Sequence, residues 1–526
     1  MSPKKPVSSL FNLSLKVVES RLSVYLETRT RDLDLAQDSR VEEEIQNLKK
    51  LCQNDIDEVF QGPLRFDLLQ FYLQGSNIAT KTRIGAFILL SSPGIQSLSF
   101  GHFTEIWYVC LARVLSTCAP GLIQLSLRWT WFCDKSLRIF IKSASQMINL
   151  RQLYVPYIAT DELLATVGRN CGHLELLDLS GASGLSENCA KSLYRYDVGG
   201  EYWRTDLCSS LQYLYIGGPG GDRLEHRCVS QLLVNLPNLV SLGSYPRTAE
   251  ALENAERSRG GRRNAPLFKL QYIHQLNIQP QTLKTVIRCC PDLRTLFLDT
   301  PCSNWFQQNV NNPEENKKEN DDFCLRLTRL KTNKVPASDL LSALRTVGEG
   351  TLRCLELVNC KGILDLSKIS YLAQGLNSLE VYYSEHCVQL GPLNLQHLTK
   401  LVLYSTALSG SLGEELLFVC KQLVHVTLQS ADTLDTQKLE RIFAAGGLQY
   451  IQEFGVLQAP GLDYHSLLFL INNLEHVKLI GQLDGWKLTL QDVNIMKKKV
   501  KEEDFDLVLW YNLPGYIDLN LEDIEP

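Results

Sequence analysis

Leu174-Glu175-Leu176-Leu177-Asp178-Leu179 places leucine at the first, fourth and sixth positions of a six-residue stretch. The same spacing returns in Leu122-Ile123-Gln124-Leu125-Ser126-Leu127, in Leu352-Arg353-Cys354-Leu355-Glu356-Leu357 and in Leu398-Thr399-Lys400-Leu401-Val402-Leu403. The first apolar positions of successive units read Ile95, Leu122, Leu150, Leu174, Leu211, Leu239, Ile273, Leu293, Leu327, Leu352, Leu376, Leu398, Leu423, Ile451 and Leu474. Alternation of this kind marks a short strand with one buried face. Behind it the spacing turns helical: Asp435 opens a segment with Leu439, Ile442 and Phe443 on one side, and Ser338 to Leu344 repeats the pattern.

A strand-and-helix unit recurring every roughly 20–29 residues is a leucine-rich repeat. One unit has no partner for its apolar edge, whereas a stack buries it against the next. The predicted fold is therefore α/β, a leucine-rich-repeat solenoid (horseshoe) with a mostly helical N-terminal head. Residues 1–90 form the head, 91–484 the solenoid, and 485–526 a C-terminal cap with an acidic tail. Because strand side chains alternate, the leucines point inward and the residues between them face the concave surface. Tyr154, Asp178, Tyr215, Phe297, Glu380, Tyr382 and Tyr404 are the substrate-binding candidates on that surface, flanked by Tyr213, Asn277, Asp299, Glu356, His425 and Lys478. Exposed tyrosines on a rigid sheet are anchor residues for a protein partner. Packing against neighbouring strands is the other reading of each one.

Composition bounds the function. Hydrophobic residues make up 44% and charged residues 21%, the balance of a folded chain. A net charge of −5 gives no general attraction to a phosphate backbone, so no nucleic acid is expected. No stretch reaches the roughly 20 apolar residues of a membrane span, and no membrane partner is expected. Met1 to Asn12 lacks a continuous apolar core and a small-residue cleavage site, which predicts a cytoplasmic or nuclear protein. Its 16 cysteines then read as reduced thiols, and Cys171, Cys208, Cys290 and Cys420 each stand three residues before a unit's first leucine. No Cys-x-x-Cys pair and no His-Glu-x-x-His occurs, so neither a metal nor another cofactor is expected. Gly217-Gly218-Pro219-Gly220-Gly221-Asp222 lacks the Lys-Ser/Thr of a phosphate loop and reads as a turn. A Gly-x-Ser-x-Gly elbow is absent too, leaving catalytic residues: none.

Three segments interrupt the period. Tyr194 to Trp203 is aromatic, Arg257 to Arg263 is basic and reads as a solvated loop, and Asn309 to Asp322 is polar and charged. In the head, Leu10, Leu13, Val17, Leu22 and Leu26 form a helical stripe. At its start Ser9-Leu10-Phe11-Asn12-Leu13-Ser14-Leu15-Lys16-Val17-Val18 fits an elongin-binding BC-box: Leu10 for an apolar pocket, small Ser14 for close approach, Val18 one turn on. The competing reading is a capping helix packed on the first repeats.

The Pro6–Leu26 segment, followed by a mixed helical stretch and leucine-rich repeats, resembles the N-terminal half of the zyg-eleven/zer-one family, substrate receptors of cullin-2 RING ubiquitin ligases. The resemblance implies that Leu10, Ser14 and Val18 contact elongin C of an elongin B/C pair. It also implies a hydrophobic-Pro-x-x-hydrophobic element for cullin-2. The nearest match is Gly62-Pro63-Leu64-Arg65-Phe66, whose Gly62 departs from the pattern. The family's armadillo half has no counterpart here, and its glycine-degron specificity is not transferred. Together these readings predict a non-catalytic adaptor, the substrate-recognition subunit of a cullin-RING E3 ubiquitin ligase with a protein substrate on its repeats. The alternatives are a repeat scaffold without elongin binding and an F-box-like receptor, although the Leu-Pro opening of an F-box is missing near the N-terminus.

Overall fold

In a computed structural model, the structure describes residues 18, 20–28, 43, 45–48, 50, 63–74, 78–103, 107–181, 185–198, 201–218, 224–258, 268–276, 285–286, 288–299, 327–347, 351–408, 410–429 and 431–511. The chain is a mixed helix and strand protein of two compact units that part between Ile273 and His274. In the first unit, five short strands form a parallel sheet in chain order: Ser97–Ser99, Gln124–Ser126, Gln152–Tyr154, Leu176–Asp178 and Tyr213–Tyr215. In the second, parallel strands run from Thr295–Asp299 through Arg329–Asn333, Cys354–Val358, Ser378–Tyr382, Lys400–Tyr404, His425–Leu428, Glu453–Val456 and Leu479–Gly481 to Val508–Leu509.

The register explains both sheets. Leu98, Leu125, Leu153, Leu177 and Leu214 are paired across successive strands and fully buried. In the second unit Leu296, Leu330, Leu355, Leu379, Leu401, Val426, Phe454 and Ile480 form the corresponding buried row. Each side chain fills the space behind its neighbour, so shifting one strand by a residue would turn its leucines outward. Left-handed residues close the strands: Lys334, Asn359, Tyr383 and Ser405 have φ between 51° and 59°. The N–H groups of Lys334, Asn359 and Tyr383 donate to the last carbonyl of the next strand at 2.8–2.9 Å.

Helices lie between many of the strands, and five of those described begin at a side-chain cap, of which the sequence reading marks Asp435. Asp435 accepts from the Lys438 N–H at 2.9 Å at the head of Thr436–Ala444, and Thr160, Asp365, Asp463 and Thr489 cap four others. Ala337–Val347 matches the helical reading of Ser338 to Leu344. Ahead of the first strand, two helices brace one another through arginines. Arg65 on Pro63–Gln74 donates to Leu90 and Leu89 carbonyls at 2.8 and 3.0 Å, at the end of Thr80–Leu90. Arg83 returns the arrangement, donating to Tyr72 and Leu73 at the end of the first helix and to the His102 carbonyl at 2.8 Å. Each cation satisfies carbonyls that a helix end leaves without partners.

Two registers differ from the sequence reading. Leu270, Ile273 and Gln275 occupy the three buried positions of one unit, because Gln275 is wholly buried where leucine was expected and the His274 ring stacks on Phe297 at 4.4 Å. That unit therefore begins at Leu270, not Ile273. Likewise Phe454 pairs with Ile480, so Val477, Ile480 and Gln482 replace the unit assigned from Leu474. Leu479 then stands in the outward row, and Lys478 precedes the strand. In each case a glutamine in a leucine position hid the pattern. Beyond Leu479 the ladder takes one further strand: Val508–Leu509 pairs with Leu479–Ile480 behind the capped helix Leu490–Glu502. The segment read as a cap thus also supplies a strand.

Leu401→Ala should cost about 2–5 kcal/mol, the price of a cavity in a closed row, whereas Tyr404→Ala on the outward row should cost less. Urea unfolding of the two variants measures the difference; equal losses would invert the assignment of faces.

Candidate functional site

The outward positions of the second unit form registered rows. One runs Thr295, Arg329, Cys354, Ser378, Lys400, His425, Glu453; the next runs Phe297, Lys331, Glu356, Glu380, Val402, Thr427, Gly455. Glu356 and Glu380 are side by side, and like charges in this position repel. Neighbours on each side neutralise them. Lys331 Nζ lies 2.6 Å from Glu356, with Arg329 at 3.8 Å, and Lys400 Nζ lies 2.8 Å from Glu380. Ser378 donates to one Glu380 oxygen at 3.0 Å and the Tyr382 hydroxyl to the other at 2.8 Å. Burial opposes ionisation of Glu380, but the Lys400 ammonium and the two hydroxyl donors outweigh it and hold the carboxyl below the usual glutamate range. Burial and the Glu380 charge push the Tyr382 hydroxyl up. Beside this network, Val358, Tyr382 and Val402 form a small apolar cluster with Tyr404 packed against it.

In the first unit the outward row carries Ser126, Tyr154, Asp178 and Tyr215. Arg128 Nε lies 3.5 Å from Asp178, and its guanidinium sits over the Tyr154 ring at 4.5 Å. Asp178 also accepts from the Ser180 N–H and hydroxyl at 3.0 and 2.7 Å. Burial, with Tyr154 and Tyr213 adding to it, raises the Tyr215 hydroxyl. Past the strand ends lies an aromatic ledge: Trp131 stacks on Tyr157 at 6.1 Å and meets His102 at the same distance, while Trp129 is 56% and Trp131 45% exposed.

All seven predicted substrate-face residues fall on outward register positions, but they are not equally open. Asp178, Phe297, Glu380 and Tyr382 are 3–7% exposed, sealed by the neighbours just described, and Glu356 is buried as well. Tyr154, Tyr215 and Tyr404 are half-buried. Asn277 lies outside the described residues. Sequence reasoning missed the ledge, although Arg128-Trp129-Thr130-Trp131-Phe132 immediately after a strand was the available signal. It also missed the hairpin of Arg195–Val198 with Glu201–Arg204 inside the first interruption.

Leu10 and Ser14 lie outside the described residues, and Val18 is helical and half-buried. Farther along the stripe Leu22 and Leu26 are buried, and the Ser23 and Tyr72 hydroxyls are 2.8 Å apart. This part of the helix turns its apolar side inward, with Ser23 against Tyr72 of Pro63–Gln74. Within the cullin-element candidate, Arg65 is engaged with the helix end at Leu89 and Leu90. Cys171 and Cys420 are buried thiols, and burial pushes both up to about 12, in keeping with inert packing residues. Among the described residues no group of three metal-ligating side chains occurs, and no helix is long and apolar enough to cross a membrane.

No family model matches the chain, and no curated protein matches it. Among solved structures the overlaps are loose. A yeast complex of Rad7 and Elc1 gives a TM-score of 0.34 at 13% identity over 93% of this chain and 96% of that one. The leucine-rich-repeat ectodomain of the Arabidopsis thaliana receptor kinase GASSHO1/SCHENGEN3 gives 0.33 at 15%, over 83% and 48%. The TLR13–ssRNA13 complex gives 0.29 at 14%, over 84% and 68%. Overlaps of this extent assign neither partner nor mechanism.

The depressed Glu380 carboxyl contributes stability above the unfolded glutamate value of about 4.3, lost as pH falls through the lower folded value. Glu380→Gln should therefore show a shallower loss of stability below about pH 4.3 than the wild type. Urea midpoints measured across that range check it; parallel acid limbs would remove Glu380 from the account.

Proposed function

We propose that this chain is a non-catalytic protein-interaction adaptor whose strand rows, read as parts of a leucine-rich-repeat solenoid (horseshoe), hold a protein substrate while an N-terminal helix docks on elongin B/C. The observation that carries the binding half is the composition of the outward rows. Tyr154, Tyr215 and Tyr404 stand half-open on parallel strands whose inner leucines fix their positions. Amphipathic rings held on a rigid sheet lose little entropy when a partner covers them.

The elongin half rests on Leu10, Ser14 and Val18 at the spacing of one helix face. A ubiquitin ligase of the cullin-RING type follows from that docking, with ubiquitin transfer carried out by other subunits. Cullin-2 is the partner that the family resemblance suggests. The second reading is a scaffold in which the head only caps the repeats; the burial of Leu22 and Leu26 favours it for the latter part of the helix.

Capture of purified elongin B/C by wild type and by Leu10→Glu separates the two, once circular dichroism shows both folded. The proposal expects capture by wild type and at least a tenfold loss in the variant, or about 1.4 kcal/mol. No capture by wild type would end the adaptor reading; equal capture would end the assignment to Leu10.

A further inference from the structure

At the strand-start edge of the second unit, five successive units carry Arg294-Thr295, Thr328-Arg329, Arg353-Cys354, Asn377-Ser378 and Thr399-Lys400 at equivalent positions. The strip therefore presents four cations and no carboxylate at these ten positions. The row behind it adds Lys331, Glu356 and Glu380, giving five cations against two carboxylates. The carboxylates are buried, whereas Arg294 and Arg353 are exposed and the side chains of Arg329 and Lys400 are 38% and 42% open. Lys331 and Lys400 balance the two carboxylates, so the surplus rests on Arg294, Arg329 and Arg353, all of them open to solvent, while Lys400 stays partly open beside Glu380. Arg294 has no side-chain partner among the described residues, and Arg329 reaches Glu356 only at 3.8 Å; Arg353 spends one N–H on the Gly375 carbonyl at 2.9 Å and Lys400 one on Glu380 at 2.8 Å, so each cation keeps further donors. Between the cations Cys354, Ser378 and Thr399 are short, so nothing bulky separates them. On the far side the strip ends at His425 and Glu453, paired at 3.1 Å.

We infer that Arg294, Arg329, Arg353 and Lys400 form a docking strip for an acidic peptide segment, laid across the strands with its carboxylates on the guanidinium and ammonium groups. This deepens the substrate-face reading above and rests on it. Four strand spacings of about 4.8 Å make the strip roughly 19 Å long, the reach of about six extended residues. Planar guanidinium groups bind carboxylates through two parallel hydrogen bonds, which gives the strip orientation as well as charge. A nucleic acid is the less favoured polyanion, because the ten strip positions carry no aromatic ring on which bases could stack.

The test is fluorescence anisotropy with a labelled octapeptide of alternating glutamate and serine, its glutamine analogue, and a U-rich RNA octamer. Wild type should bind the glutamate peptide at least tenfold more tightly than the analogue, and more weakly as salt is raised. Arg294→Gln, at a position with no internal partner, should weaken binding about threefold without changing the unfolding midpoint. Arg329→Gln with Arg353→Gln, which leaves the Lys400–Glu380 pair intact, should weaken it at least tenfold. Equal affinity for the two peptides, undiminished binding by the variants, or preference for RNA would overturn the strip. Leu10→Glu should bind the peptide as wild type does, so a failed elongin capture and a failed peptide titration are separate results.

Discussion

Everything in the two sheets depends on one repeated constraint: the central apolar residue of each unit must lie directly beside its counterpart in the next strand. Leu330, Leu355, Leu379 and Leu401 meet this in succession, each closed off by the next. A strand alternates, so a fixed inner row fixes the outer one. The residues available to a partner are consequently placed by leucines they never touch. The left-handed residues after Asn333, Val358, Tyr382 and Tyr404 serve the same end by turning the chain where the paired segment stops.

That placement has an electrostatic consequence. Adjacent strands bring Glu356 and Glu380 together, and the sheet accommodates them by flanking the pair with Lys331 and Lys400. Part of the outward face is therefore used internally. What is left over defines the surface a partner meets: exposed cations along one edge of the second unit, and half-open tyrosines with a tryptophan ledge in the first. The proposed adaptor role draws on these remainders rather than on the sealed residues.

The repeat, the helices beginning near Asp435 and Ser338 and the buried thiols were legible in the sequence because each rests on local spacing. The register at Leu270 and Val477 was not, since Gln275 and Gln482 fill positions that the pattern reserves for leucine. Nor could alternation tell exposure from burial: Glu380 faces outward yet is covered by Lys400, Tyr382 and Ser378 on its own and the adjacent strand. The reciprocal arginines ahead of the first strand were hidden for a related reason. Arg65 and Arg83 look like ordinary charged residues until folding brings each to the carbonyl end of the other's helix.

The central claim is a division of labour, with the N-terminal segment engaging the ligase and the strand rows remaining open for a substrate. Amide hydrogen exchange of the full chain with and without saturating elongin B/C tests it directly. The account predicts added protection within residues 9–18 and unchanged exchange at Gln152–Tyr154 and Lys400–Tyr404. Protection appearing in those strands while residues 9–18 stay unprotected would contradict it.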